Sequence, residues 1–236
     1  MIRRPPRSTL DRSSAASDVY KRQLAIFDLD NTLLRGDSDY EMVNYLIDKN
    51  FVDEKYRQIN EDYFNDYGDG NLNIDEFSKL SLKPFIGMTR VEIEKLVKDF
   101  YYSSLASKIN NTVLSILEGH RKKGHSILIA SATNSLIVSY VSKMLGVDKF
   151  ISSEVLFRSE LCTGLIKKPH ALGEGKLVLV KKFVEMTNYE FQNSFFYSDS
   201  INDLPLLSAV GYPIAINPDE KLMSVSNLKG WRVLEN

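Results

Sequence analysis

One short segment constrains the fold of this chain more than any other: the apolar run LAIF at residues 24–27, followed at once by the acidic sequence DLDNT. An apolar run of this length is typical of a strand buried on both faces, and the polar residues after it lie at the carboxyl end of that strand. The pattern therefore predicts an inner strand of a parallel sheet, with Asp28 and Asp30 at its end.

The segment between this strand and residue 118 has a different pattern. Apolar residues recur in it every three to four positions, as in DYEMVNYLIDKN and TRVEIEKLVKDF, and β-branched runs are nearly missing. Beyond it, strand-like segments such as SILIAS, SFFYSD and YPIAI alternate with helix-like ones. This order predicts an α/β fold, a doubly wound parallel sheet at 23–36 and 119–236, with an all-helical insertion at 37–118.

Length and charge narrow the classes of function. A chain of 236 residues fits one large domain or a core with an insertion. The net charge of −1 argues against a general nucleic-acid or anionic-membrane binder. Cys162 is the one cysteine, and no apolar run approaches the roughly 18 residues that cross a bilayer. We expect no nucleic-acid or membrane partner and a cytoplasmic location, and the oligomeric state stays open.

Residues 1–22 do not share the composition of the rest. They contain six basic and two acidic residues, which leaves a net charge of −5 for residues 23–236. They are rich in Arg and Ser, contain Pro5-Pro6, and have no apolar stretch of the kind found in secretory signals. The stretch resembles translated sequencing adaptor. We expect a non-native or disordered arm, with a targeting segment as the open alternative.

Polar residues follow three of the predicted strands. Asp28 and Asp30 end the first, Ser131 ends the second, and Asp199 and Asp203 follow the third. Because ligands bind outside the carboxyl ends of parallel strands, we expect these side chains to converge at one edge of the sheet. Clustered carboxylates repel one another, and hard oxygen donors favour Mg²⁺ as the cation between them. The sequence therefore predicts a magnesium site.

The motifs DLDNT, ILIAS, Lys176 and SDSINDLPLL, in this order, resemble the four motifs of the haloacid dehalogenase superfamily. The resemblance covers residues 24 to about 233. The helical insertion is similar in position to the C1 cap, and the branch that it most resembles is the phosphoserine-phosphatase-like subfamily IB. The resemblance implies a Mg²⁺-dependent phosphatase that hydrolyses a small phosphorylated metabolite through an aspartyl-phosphate.

The resemblance also implies a role for each motif residue. Asp28 would be the nucleophile, and Asp30 the general acid and then the general base. Mg²⁺ would be held by the carboxylates of Asp28 and Asp199 and the backbone carbonyl of Asp30. Ser131 and Lys176 would bind phosphoryl oxygens. Three further residues would position these groups: Thr32, Asn202 and Asp203.

Alternatives remain open at two of these positions. Thr133 or Asn134 can take the phosphate contact in place of Ser131, because all three lie where a strand leads into a helix. Lys176 competes with four nearby lysines for the motif position, although its place after Gly173-Glu174-Gly175 favours it. These four are Lys167, Lys168, Lys181 and Lys182.

Asp37 bears on the substrate. It lies nine residues after Asp28, where phosphoserine phosphatases carry a carboxylate for the substrate amine, so the resemblance implies a substrate-binding role. The segment with which those enzymes bind the serine carboxylate through an arginine is not recognisable here, since the nearest region reads FSKLSLKPFIG. An amine-bearing phosphate without a carboxylate, such as histidinol phosphate, is the alternative substrate. Asp37 can instead be the N-cap of a helix that begins near Tyr40.

Two other functional classes use similar residues. A phosphotransferase or mutase employs the same aspartate pair but returns the phosphoryl group to an acceptor. A receiver module also combines Asp, Ser or Thr, and Lys on a doubly wound sheet, but it has adjacent acidic residues on the first strand. The DxD spacing of Asp28 and Asp30 and the long helical insertion therefore favour the phosphatase.

Overall fold

Eight strands occur in residues 23–69 and 72–235, the part of the chain that the computed structural model describes. The predicted arm, 1–22, lies outside the described residues. The strands are β1 (Leu24–Phe27), β2 (Ser126–Asn134), β3 (Phe150–Ser153), β4 (Val155–Arg158), β5 (Leu161–Ile166), β6 (Phe195–Ser198), β7 (Tyr212–Ile216) and β8 (Arg232–Leu234). Six of them form one sheet in the order β3-β2-β1-β6-β7-β8, and every neighbouring pair is parallel. The predicted parallel α/β fold is confirmed.

Nine helices of the described chain flank or follow these strands. They are α1 (Ser38–Asp48), α2 (Tyr56–Asp69), α3 (Ile74–Leu82), α4 (Arg90–Phe100), α5 (Asn111–Lys122), α6 (Ser135–Met144), α7 (Glu174–Glu185), α8 (Leu204–Ala209) and α9 (Glu220–Lys229). Most begin at a side chain that accepts a hydrogen bond from a backbone N–H of the first turn, which removes one unpaired donor. Thr89 and Glu92 form a reciprocal capping box at α4.

Polar and apolar residues do not alternate in the central strand β1, because both of its faces are buried. Ala25 and Phe27 belong to the apolar cluster on one face of the sheet, and Leu24 and Ile26 belong to the cluster on the other. All four side chains are buried. Removal of apolar surface from water on both faces stabilises this strand at the centre of the sheet, so its carboxyl end is held rigidly.

Helices α1 to α4 follow β1 in the segment whose periodicity predicts helices, and we propose that they form the inserted cap. The predicted boundary at residues 118 and 119 falls inside α5, which packs against β2. The chain re-enters the core at Asn110, whose N–H donates to the carbonyl of Leu33 (2.9 Å). We therefore propose that the cap ends before Asn111.

The antiparallel hairpin β4–β5 lies beside this cap. Backbone hydrogen bonds join Cys162 to Gly87 and Met88 at 2.9 Å each. The structure thus ties the cap to the core at the hairpin as well as at the chain connections. No helix in the described ranges is long and apolar enough to span a membrane.

Candidate active site

The end of β1 places Asp28 in a buried ion pair. Lys176 Nζ lies 2.8 Å from Asp28 Oδ1 and 2.7 Å from the carboxylate of Asp203. Ser198, at the end of β6, also donates to Asp203 (2.7 Å). The exposed fraction is 5% for Asp28 and 2% for both Lys176 and Asp203. The three charged groups are therefore fixed by one another, with little access to water.

The start of α7 brings Lys176 into this position. A Cβ atom on Gly175 would lie 2.0 Å from the carbonyl oxygen of His170, so only glycine allows this close approach of the helix to the preceding loop. Among the lysines that competed for the motif position, Lys176 is the one at the sheet edge. Lys167 and Lys168 instead pair with Glu154 and Asp75 at the surface.

Asp30 receives three hydrogen bonds. Its Oδ2 accepts from the hydroxyls of Thr133 (2.7 Å) and Ser131 (3.1 Å), and its Oδ1 accepts from the backbone N–H of Ser38 (2.7 Å). Ser131 and Thr133 come from the end of β2 and Ser38 from the first turn of α1. Residues of the core and of the cap therefore contact the same carboxylate, which is well placed for proton transfer within the site.

Asp199 lies at the end of β6. Its Oδ1 accepts a hydrogen bond from the hydroxyl of Thr32 (3.1 Å), which joins the first and last motifs. Asn202 lies on the short turn Ile201–Asp203, and its N–H donates to Ser200 Oγ (3.2 Å). Thr32 thus contacts a carboxylate directly, whereas Asn202 contributes to the turn that carries Asp203.

The electrostatics of the edge suit a divalent cation. Burial raises the pKa of Asp28 to about 8 although Lys176 opposes the shift, and burial followed by the charge of Asp28 raises the pKa of Asp199 well above its usual value. Burial disfavours the Lys176 ammonium, but Asp203 and Asp28 outweigh it and raise the Lys176 pKa. Positive charge beside Asp28 and Asp199 would keep both ionised, and their donors are hard oxygens, which fit Mg²⁺.

Few side chains at this edge are available as metal ligands. No group of three His, Cys, Asp or Glu side chains within the described ranges is arranged to hold a metal ion. The predicted set contains two such side chains, Asp28 and Asp199, and a backbone carbonyl. This is consistent with Mg²⁺, which retains water ligands and is usually held by one or two carboxylates.

A cavity with an interior volume of about 40 Å³ lies between the sheet edge and the cap, and the empty space is about 500 Å³ when the open solvent at its mouth is included. Its floor contains Asp28 and Asp30, and its cap side contains Asp37 and Asp39, which are partly exposed. Asp37 accepts a hydrogen bond from the backbone N–H of Tyr40 (2.8 Å). The N-cap interpretation of Asp37 is therefore confirmed, and the same carboxylate also lines the cavity.

The structure brings together most of the predicted site residues. Direct hydrogen bonds link Asp28, Lys176 and Asp203, a second set links Asp30 and Ser131, and a third links Thr32 and Asp199. Asp39 and Asn60 are among the residues of the cavity wall that sequence reasoning missed. The spacing of Asp37 and Asp39 at the start of an amphipathic helix was a signal for Asp39, and no sequence signal marks Asn60.

Comparisons with known proteins agree with this geometry. The family model described as haloacid dehalogenase-like hydrolase matches residues 25–208. A histidinol-phosphatase of Neisseria meningitidis serogroup C (strain 8013) is 34% identical over 218 residues, 90% of this chain and 98% of that protein.

Solved structures show the same fold. A protein of unknown function from Bordetella pertussis Tohama I has a TM-score of 0.83 and 30% identity, covering 90% of this chain and 98% of that one. A phosphoserine phosphatase with a phospho-aspartyl intermediate analogue has a TM-score of 0.65 and 15% identity, covering 86% of this chain and 90% of that one. The second likeness concerns the fold alone.

Proposed function

The chain belongs to the haloacid dehalogenase-like hydrolase family and is a phosphatase, and from that premise we propose that it hydrolyses a small amine-bearing phosphomonoester with Mg²⁺ as cofactor. One observation carries the proposal: the buried Lys176 ammonium lies between Asp28 and Asp203 while Asp30, two residues on, faces the cavity. This arrangement supplies a nucleophile, a positive charge and a proton carrier within one site.

Two aspartates would perform the chemistry. A carboxylate oxygen of Asp28 attacks phosphorus, the bond from phosphorus to the leaving oxygen breaks, and Asp30 gives its proton to that oxygen. Asp30 then takes a proton from water as the water oxygen attacks the aspartyl-phosphate. The bond between phosphorus and Asp28 breaks, and inorganic phosphate leaves.

The neighbouring residues would stabilise the transferred group. Lys176 offers an ammonium and Ser131 a hydroxyl at the same sheet edge, and both can donate to phosphoryl oxygens. Asp203 holds the ammonium in place. Asp28, Asp199 and the backbone carbonyl of Asp30 would hold Mg²⁺, which supplies charge neutralisation so that an anionic nucleophile approaches an anionic phosphate.

The cavity supports an amine-bearing leaving group. None of the described residues that line it is Lys, Arg or His, whereas Asp37 and Asp39 both line it. A substrate carboxylate, as in phosphoserine, would face these acids without a positive partner. Histidinol phosphate carries an amine and no carboxylate, and the relative from Neisseria meningitidis is named for its hydrolysis. We therefore place histidinol phosphate first among the substrates.

Phosphate release tests the function. We expect Mg²⁺-dependent release from histidinol phosphate and slower release from p-nitrophenyl phosphate, with both abolished by EDTA and restored by added Mg²⁺. Asp28→Asn removes the nucleophile and should lower turnover by about three orders of magnitude or more. Asp62→Asn, on the exposed surface of α2, is the matched control.

Near-normal activity of a folded Asp28→Asn variant would overturn the mechanism. Addition of glycerol as an acceptor distinguishes a phosphotransferase, since that activity would yield glycerol phosphate at the expense of free phosphate. We expect free phosphate to equal the substrate consumed.

A further inference from the structure

The cap side of the cavity has an unusual chemistry for a phosphate-binding enzyme. Its polar side chains include two carboxylates and, among the described residues, no cation, and its remaining wall is largely aromatic or aliphatic. The polar side chains are those of Asp37, Asp39, Tyr40, Asn60 and Tyr63. The phosphoryl group has its own partners at the sheet edge. The cap side therefore faces the leaving group, and it favours a leaving group that donates hydrogen bonds.

Asp39 is fixed by the core. Its Oδ1 accepts a hydrogen bond from Asn134 Nδ2 (2.6 Å), and Asn134 itself caps α6. No lysine, arginine or histidine in the described part of the chain forms an ion pair with Asp39 or Asp37. The charge of the two carboxylates is thus left for a ligand to balance.

Asn60 provides an independent indication of a ligand. Its side chain is fully buried, and its Nδ2 donates to the backbone carbonyl of Tyr40 (3.0 Å) and to Asn44 Oδ1 (3.3 Å). Its Oδ1 has no partner among the described residues, although Asn60 lines the cavity. A buried acceptor without a partner is destabilising, so a donor from the substrate would satisfy an unmet hydrogen bond.

Aromatic rings complete this part of the cavity. Tyr63 and Phe77 pack edge to face with ring centroids 5.6 Å apart, and Tyr40 and Phe64 pack at 4.7 Å. These contacts join α1, α2 and α3, so the rings are held before a ligand binds. Faces of this kind accommodate a flat ring and attract a cationic one.

We propose that Asp39 and Asn60, together with the aromatic side chains of α2 and α3, bind a flat, nitrogen-containing ring of the leaving group through its N–H donors. Asp37 would receive the aliphatic ammonium of the same leaving group. This assignment rests on the proposed function and makes Asp39 and Asn60 specificity-determining residues. The chemical class is a 2-aminoalkyl phosphate that carries a ring with N–H groups.

A matched substrate series tests the assignment. Alaninol phosphate has the amine alone, phenylalaninol phosphate adds a ring without nitrogen, and histidinol phosphate adds a ring with nitrogen. We expect kcat/KM to be highest for histidinol phosphate by at least about tenfold, the value of one hydrogen bond to a charged group. Equal values for the histidinol and phenylalaninol phosphates would overturn the assignment.

Variants locate the effect. Asp39→Asn should lower kcat/KM for histidinol phosphate by about tenfold or more and for alaninol phosphate by less than about threefold, because only the former has a ring donor. Asn60→Leu should show the same selectivity, and Asp62→Asn, on the same helix, should leave the ratio of the two substrates unchanged. Equal losses for both substrates in Asp39→Asn would show a structural role and overturn the assignment.

Binding of the product separates this assignment from the proposed function. Calorimetric titration of the full chain with histidinol needs no turnover. Binding that is weakened by Asp39→Asn supports the subsite even if no phosphate is released from any substrate. If the protein hydrolysed p-nitrophenyl phosphate but did not bind histidinol, the proposed subsite would be overturned and the proposed phosphatase function would not.

Discussion

The sheet edge and the cap side of the cavity both contain carboxylates with raised pKa values, but only the edge holds a cation among the described residues. At the edge, Lys176 forms an ion pair with both Asp28 and Asp203, and Asp30 accepts three hydrogen bonds. On the cap side, burial and then the charge of Asp30 raise the pKa of Asp37 well above its usual value and that of Asp39 to about 7. The edge is organised for chemistry before the substrate arrives, whereas the cap side lacks a positive charge that the substrate would bring.

This difference predicts that substitutions at the edge act on stability and on every substrate. Substitutions on the cap side should act on the choice of substrate. Three predictions test the contrast, and a fourth concerns a buried histidine outside both regions. They run from the largest expected effect to the smallest.

Lys176→Met should have the largest effect on the folded state. It leaves Asp28 and Asp203 buried without their cation, and breaking a buried ion pair from one side costs about 3–5 kcal/mol. Urea unfolding without added metal measures the loss. Lys181→Met, five residues along on the exposed surface of α7, is the control and should change the free energy of unfolding by less than about 0.5 kcal/mol. Similar urea midpoints for Lys176→Met and Lys181→Met would contradict the stabilising role of the ion pairs at the sheet edge.

Asp30→Asn should lower turnover by an amount that depends on the leaving group of the substrate. An alkoxide needs a proton as it departs, so turnover of histidinol phosphate should fall about 10²–10⁴-fold. The drop should be smaller for p-nitrophenyl phosphate, whose leaving group departs as an anion. The hydroxyls of Ser131 and Thr133 can accept from the new amide, so the variant should stay folded. Equal drops for the two substrates would argue against proton donation by Asp30.

Asp37→Asn should separate helix capping from substrate binding. Asparagine caps a helix as well as aspartate does, so the melting temperature should change little. The charge is lost, so kcat/KM for amine-bearing phosphates should fall by about tenfold, with a smaller change for p-nitrophenyl phosphate. Asp37→Ala should lose the cap as well, at a cost of about 0.5–2 kcal/mol. A uniform change across substrates would leave Asp37 with the capping role alone.

His120→Phe should have the smallest effect, on the pH dependence of stability. Burial, followed by the charges of His125 and Lys123, lowers the pKa of His120 to about 4 from 6.5. At a pH between these two pKa values, His120 is protonated in the unfolded chain and neutral in the folded chain. The free energy of unfolding therefore falls as pH decreases from about 6.5 to 4.

Urea midpoints at pH 7 and pH 5 measure this effect. The wild type should lose up to about 2 kcal/mol more than His120→Phe over that interval. His120 also contacts the hydroxyl of Tyr197 (2.8 Å), so the variant is less stable at both pH values. The relevant quantity is therefore the change in unfolding free energy between pH 7 and pH 5. If wild type and His120→Phe lost the same stability between pH 7 and pH 5, the pKa of His120 would be the same in the folded and unfolded protein.

Much of the fold follows from local patterns. The run LAIF predicts a strand buried on both faces, and the order of apolar periods predicts a parallel sheet with a helical insertion. The four motifs also predict which polar residues lie at the sheet edge. Their catalytic roles, Mg²⁺ and the cytoplasmic location stay predictions, since fold and proximity do not measure chemistry.

By itself, the sequence determined the parallel sheet and the polar residues that follow its strands, because strand ends and their polar residues are encoded locally. Only the tertiary structure decided that Asp39 and Asn60 face the same cavity as Asp28. These residues reach it through the packing of α1 on α2 and through a hydrogen bond from Asn134, 95 positions away from Asp39. Side chains that meet across such distances in the chain share no local pattern, and only the packed cap brings them together.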